Sequence, residues 1–210
     1  MGAPLQSVWL VADWLSPDEE RDLLARCDAP SARWTQLHGR SVQQLGGVVH
    51  DKAGLLAAPL PKWVLPLLQR LRRELALLDE IPPLNHVLIN AYEPGQGILQ
   101  HQDGPLYAPV VAIISLGAQC VVAFTPHASL QPMTPAQSVR VLVPPRSLLL
   151  FAHDAYTTHL HGIDACAADD LRDVANPPSD AGSCVPRHGR RVSLTCRSVL
   201  RVRRGLLPGT

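Results

Sequence analysis

The chain carries no excess charge of either sign: 19 Lys and Arg against 18 Asp and Glu leave a formal +1. No global field draws it onto nucleic acid or an anionic membrane, so a charged ligand must be held by local placement. Cys-x-x-Cys is absent, and the five cysteines (27, 120, 166, 184 and 196) are odd in number. They signal neither a disulfide framework nor a zinc knuckle, and a reducing compartment is expected. The longest apolar runs fall far short of a bilayer span. MGAPLQSVWL at the start lacks a basic segment leading into a long apolar one, and Gln6 stands where a myristoylation signal needs Ser or Thr. No K/R-rich cluster marks a localisation signal. The expectation is a cytoplasmic or nuclear protein, or both, with no membrane partner. There is no internal repeat and no Gly-x-Ser-x-Gly nucleophile elbow. What remains is 210 residues, 46% apolar, enough for one domain over 1–210 with a sizeable core.

Helical signals come first. SPDEERDLLARCD carries Ser16 as N-cap, Pro17 at the first helical position and Glu19 placed to return the capping-box bond. Val8-Trp9-Leu10 before it reads as a short strand. Trp63, Leu67, Leu68, Leu71, Leu75 and Leu78 recur at helical spacing and predict a second helix over 62–78. From Asn85 onward the texture changes to HVLINAY, VVAIISL, CVVAFT, VRVLV, SLLLFAH and RVSLTCRSVL, short and β-branched, punctuated by glycine and proline. No helical pattern separates these strands, so an antiparallel sandwich or jelly roll is expected. Residues 164–189 have little periodicity and read as an irregular, partly disordered insertion.

Side chains alternate faces along a strand, so His101 and Asp103 in ILQHQDGP present an imidazole and a carboxylate together. They could be two members of a 2-His-1-carboxylate metal site, or a solvated strand end. HDAYTTHLHGI offers His153, His159 and His161 as a third ligand. His159 and His161 share strand parity, so alternation does not choose between them, although Gly162 beside His161 permits close backbone approach. In RRVSLTCRSV, Arg191, Ser193, Thr195 and Arg197 share one face. Two guanidiniums on a core strand need anionic partners, which protein acids or an external dicarboxylate would supply. Asn90 and Tyr92 in LINAYEPG alternate in the same way.

Taken in chain order, NAYEPGQGILQHQDGP, ISLG, HGI and RVSLTCR resemble the core of the AlkB family of Fe(II)- and 2-oxoglutarate-dependent dioxygenases. The likeness covers residues 85–200, interrupted at 164–189. WTQLHGRSVQQLGG and PPRSLLLFAHDAY with LHGI look most like the AlkB homologue six type and extend it over nearly the whole chain. The resemblance implies an α+β fold: a double-stranded β-helix (jelly roll) core over 85–200, with N-terminal helices packed on one sheet. Residues 1–84 would hold those helices and a nucleotide-recognition lid. It implies His101, Asp103 and His161 as Fe(II) ligands, with Asn90, Tyr92, Arg191 and Arg197 engaging 2-oxoglutarate, and O2 as second co-substrate. Ser193 departs from the asparagine of the family's RxNxTxR pattern. The implied chemistry oxidises a substrate C–H bond while 2-oxoglutarate goes to succinate; a hydroxylated N-methyl then leaves as formaldehyde.

The substrate is less determined. Base demethylases of this family commonly carry an acidic residue two positions after the metal aspartate, and here Pro105 stands there. An alkylated nucleic acid, DNA or RNA and single-stranded or flipped out, remains the expected partner. The lid residues Arg33, Trp34, His38 and Arg40, with Pro105 and Tyr107, are substrate candidates, and Arg197, Arg201, Arg203 and Arg204 form a basic stretch. A protein side-chain hydroxylase, a non-catalytic binding module on the same fold and a zinc or nickel cupin-like protein are the alternatives. The protein is expected to act as a monomer.

Overall fold

Ser16 opens the first helix as the sequence predicts: its hydroxyl accepts from the Glu19 amide at 3.2 Å, and its own amide donates to Glu19 Oε2 at 2.8 Å. The computed structural model describes residues 7–75, 79–127, 138–179 and 182–204. In chain order the elements begin with β1 (Val8–Val11), α1 (Pro17–Cys27), β2 (Thr35–Leu37), β3 (Arg40–Leu45), β4 (Gly47–His50), β5 (Gly54–Ala57) and α2 (Leu65–Glu74). Then come β6 (His86–Tyr92), β7 (Ile98–His101), β8 (Val110–Gly117), β9 (Cys120–Pro126), β10 (Val139–Val143), β11 (Leu148–Ala152), α3 (His153–Thr157) and β12 (His159–Ile163). β13 (Ala168–Asp170), β14 (Cys184–Pro186), β15 (Arg191–Arg197) and β16 (Val202–Arg204) complete the order.

A seven-stranded sheet in the order β1-β11-β8-β15-β6-β3-β2 faces a four-stranded sheet in the order β10-β9-β12-β7. All pairings within both are antiparallel, giving the expected jelly roll. Between the sheets lie Val111, Ile113, Val122, Val141, Leu149 and a Phe124–Phe151 edge contact with ring centroids 5.4 Å apart. Period-2 alternation sends Val87, Ile89, Ile114, Val192 and Leu194 to the opposite face of the large sheet, where Leu67, Leu68 and Leu71 of α2 and Cys27 of α1 cover them. Both helices therefore pack on one sheet.

Three expectations change. Residues 1–84 hold helices, but four strands separate α1 from α2, and the segment read as a lid is largely the β2–β3 hairpin at the edge of the large sheet. β3 escaped notice because Gln43 and Gln44 interrupt its apolar alternation; buried Gln43 instead donates to the Cys27 carbonyl at 2.8 Å. The second helix is shorter than predicted: Val64 caps it, Leu75 is already extended, and Leu78 lies outside the described residues.

The insertion at 164–189 is not irregular over its described part. β13 and β14 pair antiparallel, and Leu171, Val174 and Val185 pack on Val121 and Leu142 of the small sheet. Inside it, Arg187 and Asp169 form a buried ion pair at 2.6 Å. Residues 180 and 181 lie outside the described set.

Candidate metal centre

β12 lies between β9 and β7, and its register sets His161 directly opposite His101. The two imidazole centroids are 4.4 Å apart. Gly162 makes this approach possible: a Cβ there would stand 2.9 Å from the Ile98 carbonyl oxygen. Asp103 follows two residues after His101, where the chain turns through Gly104 at φ +82°. Two bonds tie this turn to α3: the Tyr156 hydroxyl donates to the Gly104 carbonyl at 2.7 Å, and Gln102 Nε2 donates to the Thr157 carbonyl at 3.0 Å. Ligand atoms of His101, Asp103 and His161 all lie within 4.8 Å of one another.

The protonation states suit a cation. His101 Nδ1 lies 2.8 Å from the Leu99 carbonyl; a carbonyl only accepts, so Nδ1 donates there and Nε2 is the atom left to face a metal. Burial, the dominant cause, pushes the His161 pKa down to about 4 against the opposing pull of Asp103, with the Arg197 charge adding to the depression, leaving a neutral imidazole near pH 7. Asp103 Oδ1 accepts from Arg197 Nη1, while buried Oδ2 has no partner among the described residues. Two nitrogen donors and one carboxylate oxygen, one oxygen orphaned, fit the 2-His-1-carboxylate set that suits Fe(II).

Of the other candidate histidines, His153 sits exposed at the start of α3 with φ +48°. His159 Nδ1 turns to the Thr158 hydroxyl at 2.9 Å and the Asp154 carbonyl at 3.2 Å. Neither joins the cluster.

A polar wall faces the cluster across one cavity, lined among others by Asn90, Tyr92, Arg191, Ser193, Thr195 and Arg197. β15 supplies four of these at alternate positions, beside Asn90 and Tyr92 of β6 in register. Arg191 is 3% exposed, donates from Nη2 to Ser115 Oγ at 2.8 Å and lies 5.7 Å from the Tyr92 ring centroid. Its Nε has no partner, and no carboxylate among the described residues pairs with it. A buried, unpaired guanidinium is costly, and it is the right group to receive a carboxylate bidentately.

Arg197 differs. Its Nη1 donates to Asp103, its buried Nε has no partner among the described residues, and its guanidinium stacks 4.1 Å above the Tyr107 ring centroid. The two arginines of one strand thus stand in different environments, a distinction that strand alternation does not reveal. Asn90 Oδ1 accepts from Arg40 Nε at 3.1 Å.

The cavity opens into an outer groove that shares His101, Asp103, Arg40 and Arg197 with it and adds His38 and Tyr107. Arg40 and Tyr107 of the substrate candidates are therefore brought to the mouth. Trp34 and Pro105 line neither cavity: Trp34 lies under Arg190, 4.8 Å from its ring centroid, and Pro105 is exposed. Among the described residues Arg33 reaches only the Ala32 carbonyl, and Arg201 bonds the Lys52 carbonyl at 2.9 Å beside the small β16-β5-β4 sheet, which also holds Arg203. The Arg204 side chain is outside the described set.

Sequence reasoning missed Ser115 and Tyr156. Ser115 was legible in principle as the polar break in the apolar strand VVAIISLG, whereas Tyr156 acts from a one-turn helix with no pattern to find.

The sequence model of the 2OG-Fe(II) oxygenase superfamily matches residues 7–197. A protein of Danio rerio named "Probable RNA/DNA demethylase ALKBH6" is 36% identical over 212 residues, 96% of this chain and 89% of that one. The chain is an AlkB-family 2OG-Fe(II) oxygenase. The uncharacterized protein L905 of Acanthamoeba polyphaga mimivirus is 24% identical, covering 91% of this AlkB-family chain and 84% of its own. The solved structure of OsALKBH1 shares the fold at TM-score 0.62 and 17% identity, covering 94% of this chain and 100% of that one. A Pseudomonas putida prolyl-4-hydroxylase shares it at TM-score 0.57 and 14% identity, covering 95% and 94%. The AlkB-family chain is accordingly a 2-oxoglutarate-dependent dioxygenase that uses Fe(II), and the His-Asp-His cluster fits that metal.

Proposed function

We propose that His101, Asp103 and His161 hold the iron, that Arg191 receives the distal carboxylate of 2-oxoglutarate, and that the enzyme oxidatively dealkylates nucleic acid. When bound, iron and 2-oxoglutarate supply O2-dependent oxidation of a C–H bond, with succinate and CO2 as co-products. The single observation carrying this reading is buried Arg191, unpaired by any described carboxylate and lining the same cavity as the three ligands.

Each remaining residue does ordinary physical work. Ser115 holds one arm of the Arg191 guanidinium, while the Tyr92 ring flanks it. Arg40 orients Asn90. Arg197 fixes Asp103 through Nη1, and its unpartnered Nε lines the same cavity, in keeping with the co-substrate role that the family resemblance implies.

A nucleic-acid substrate is supported by the demethylase name of the Danio rerio relative and by the groove mouth, where Arg40, His38 and Tyr107 offer cationic and aromatic contacts to a base and its phosphates. With Pro105 exposed and away from the groove lining, no carboxylate two residues beyond Asp103 reads the base.

Iron-loaded protein is given 2-oxoglutarate, O2 and methylated DNA and RNA oligonucleotides, with methylated peptide pools in parallel. Formaldehyde and demethylated oligonucleotide are expected with stoichiometric succinate. Product from peptides alone would overturn the nucleic-acid reading, and absence of succinate under any metal loading would overturn the site assignment.

A further inference from the structure

The outer wall of the groove is built from two segments that run on past the last β7–β12 pair, Ile98 with Ile163, where the ladder ends. Gln96 and Gly97 come from the β6–β7 loop, and Asp164 and Ala165 follow β12. One buried side chain from the 164–189 insertion ties them together. Arg187 donates from Nε and Nη2 to the two Asp169 oxygens at 2.7 and 2.6 Å, and from Nη1 to the Gln96 and Asp164 carbonyls at 3.0 Å each. Four of the five guanidinium donors are thus committed.

Asp169 anchors the assembly to the small sheet, accepting from the Val121 amide at 3.1 Å. The pair is sealed, with side-chain exposures of 5% and 2%. Around it the loops touch directly: the Gly95 amide donates to the Cys166 carbonyl at 3.1 Å, and a Cβ on Gly97 would stand 2.3 Å from the Ile163 carbonyl oxygen. The contact is backbone against backbone, and Ile163 is two residues from ligand His161.

We infer that Arg187 is a positioning residue for substrate: held by Asp169, it fixes the wall against which the alkylated nucleotide is seated over the metal. The insertion is then the brace of the substrate groove rather than surface decoration. Apolar contacts would hold a hairpin to the sheet without a buried charge, so the ion pair's distinctive product is the fork that holds two carbonyls at a set separation. The assignment of nucleic acid as substrate rests on the reading above; the brace itself does not.

Two variants test it. Arg187→Lys keeps the charge beside Asp169 but cannot reach both carbonyls, and the double variant Arg187→Met with Asp169→Leu removes the fork without leaving a buried charge unpaired. For both, KM for a methylated oligonucleotide should rise about 10-fold, with kcat, Mn(II) and 2-oxoglutarate affinity and substrate-free succinate formation within about two-fold of wild type. Amide exchange at residues 95–97 and 164–166 should accelerate without any substrate present. Unchanged KM and exchange in the folded variants would overturn the inference, as would co-substrate affinity falling in step with KM. If wild type turns over no methylated oligonucleotide, the nucleic-acid reading falls while the exchange measurement still judges the brace.

Discussion

His86→Leu tests the electrostatics beneath the metal site. His86 is 1% exposed, neither ring nitrogen has a partner among the described residues, and Arg197 stands opposite it in register. Burial first, then the Arg197 charge, pushes its pKa down to about 4, so the native ring is neutral. An unfolded histidine titrates near 6.5, so as pH falls the unfolded chain takes up this proton first. The contribution to stability is fully present above about pH 6.5 and is lost as pH falls toward 4. Between pH 7 and pH 5 the linkage integral amounts to about 2 kcal/mol, or roughly 4–8 °C in Tm for a chain of this size. His161 carries a depression in the same direction, but it is present in both proteins and cancels on subtraction. Leucine cannot protonate. Urea melts of metal-free wild type and His86→Leu at both pH values should show the variant losing about 2 kcal/mol less on acidification. Parallel losses would refute the buried, uncharged assignment of His86.

Three further outcomes follow from the same geometry. Arg191→Met should weaken 2-oxoglutarate binding about 10–100-fold by titration while leaving Mn(II) affinity intact, since a charge-assisted bond is lost and no carboxylate is stranded. Arg197→Met should cost the metal-free protein about 3–5 kcal/mol because Asp103 is left buried and unpaired, and Mn(II) should raise its Tm by more than it raises that of wild type. Ser16→Ala removes a capping-box bond and should cost about 1 kcal/mol in a urea melt, with 2-oxoglutarate affinity unchanged.

The sequence was most readable where a periodic pattern and a chemical need coincided. β6, β8, β9, β10, β11 and β15 were found because apolar alternation or continuous β-branched runs mark them, and the capping box located α1. The His101–Asp103 pair was legible through strand parity, but parity left His159 and His161 equal. Cross-strand register separates them, since only His161 faces His101, and register is a long-range property.

The same limit hid the different pairing of Arg191 and Arg197, which depends on where Asp103 arrives from another sheet. β3 and the β13–β14 hairpin were missed for a different reason. In and beside them the buried positions include Gln43, Asp169 and Arg187, polar groups that a hydrophobic pattern cannot register and that only their partners make tolerable.

β15 occupies the middle of the seven-stranded sheet, between β8 and β6, although it is the last of that sheet's strands in the chain. During synthesis from the N-terminus, the earlier strands can form only two separate halves, β1-β11-β8 and β6-β3-β2, each ending in an unsatisfied hydrogen-bonding edge. β15 joins them as a keystone. The same strand brings the guanidinium that restrains the carboxylate ligand and the one proposed for the co-substrate, so closure of the sheet and completion of the oxidising centre are one event. A nascent or truncated chain that stops short of Arg191 lacks both arginines, and its iron-binding residues stand in a structure that has yet to close around them.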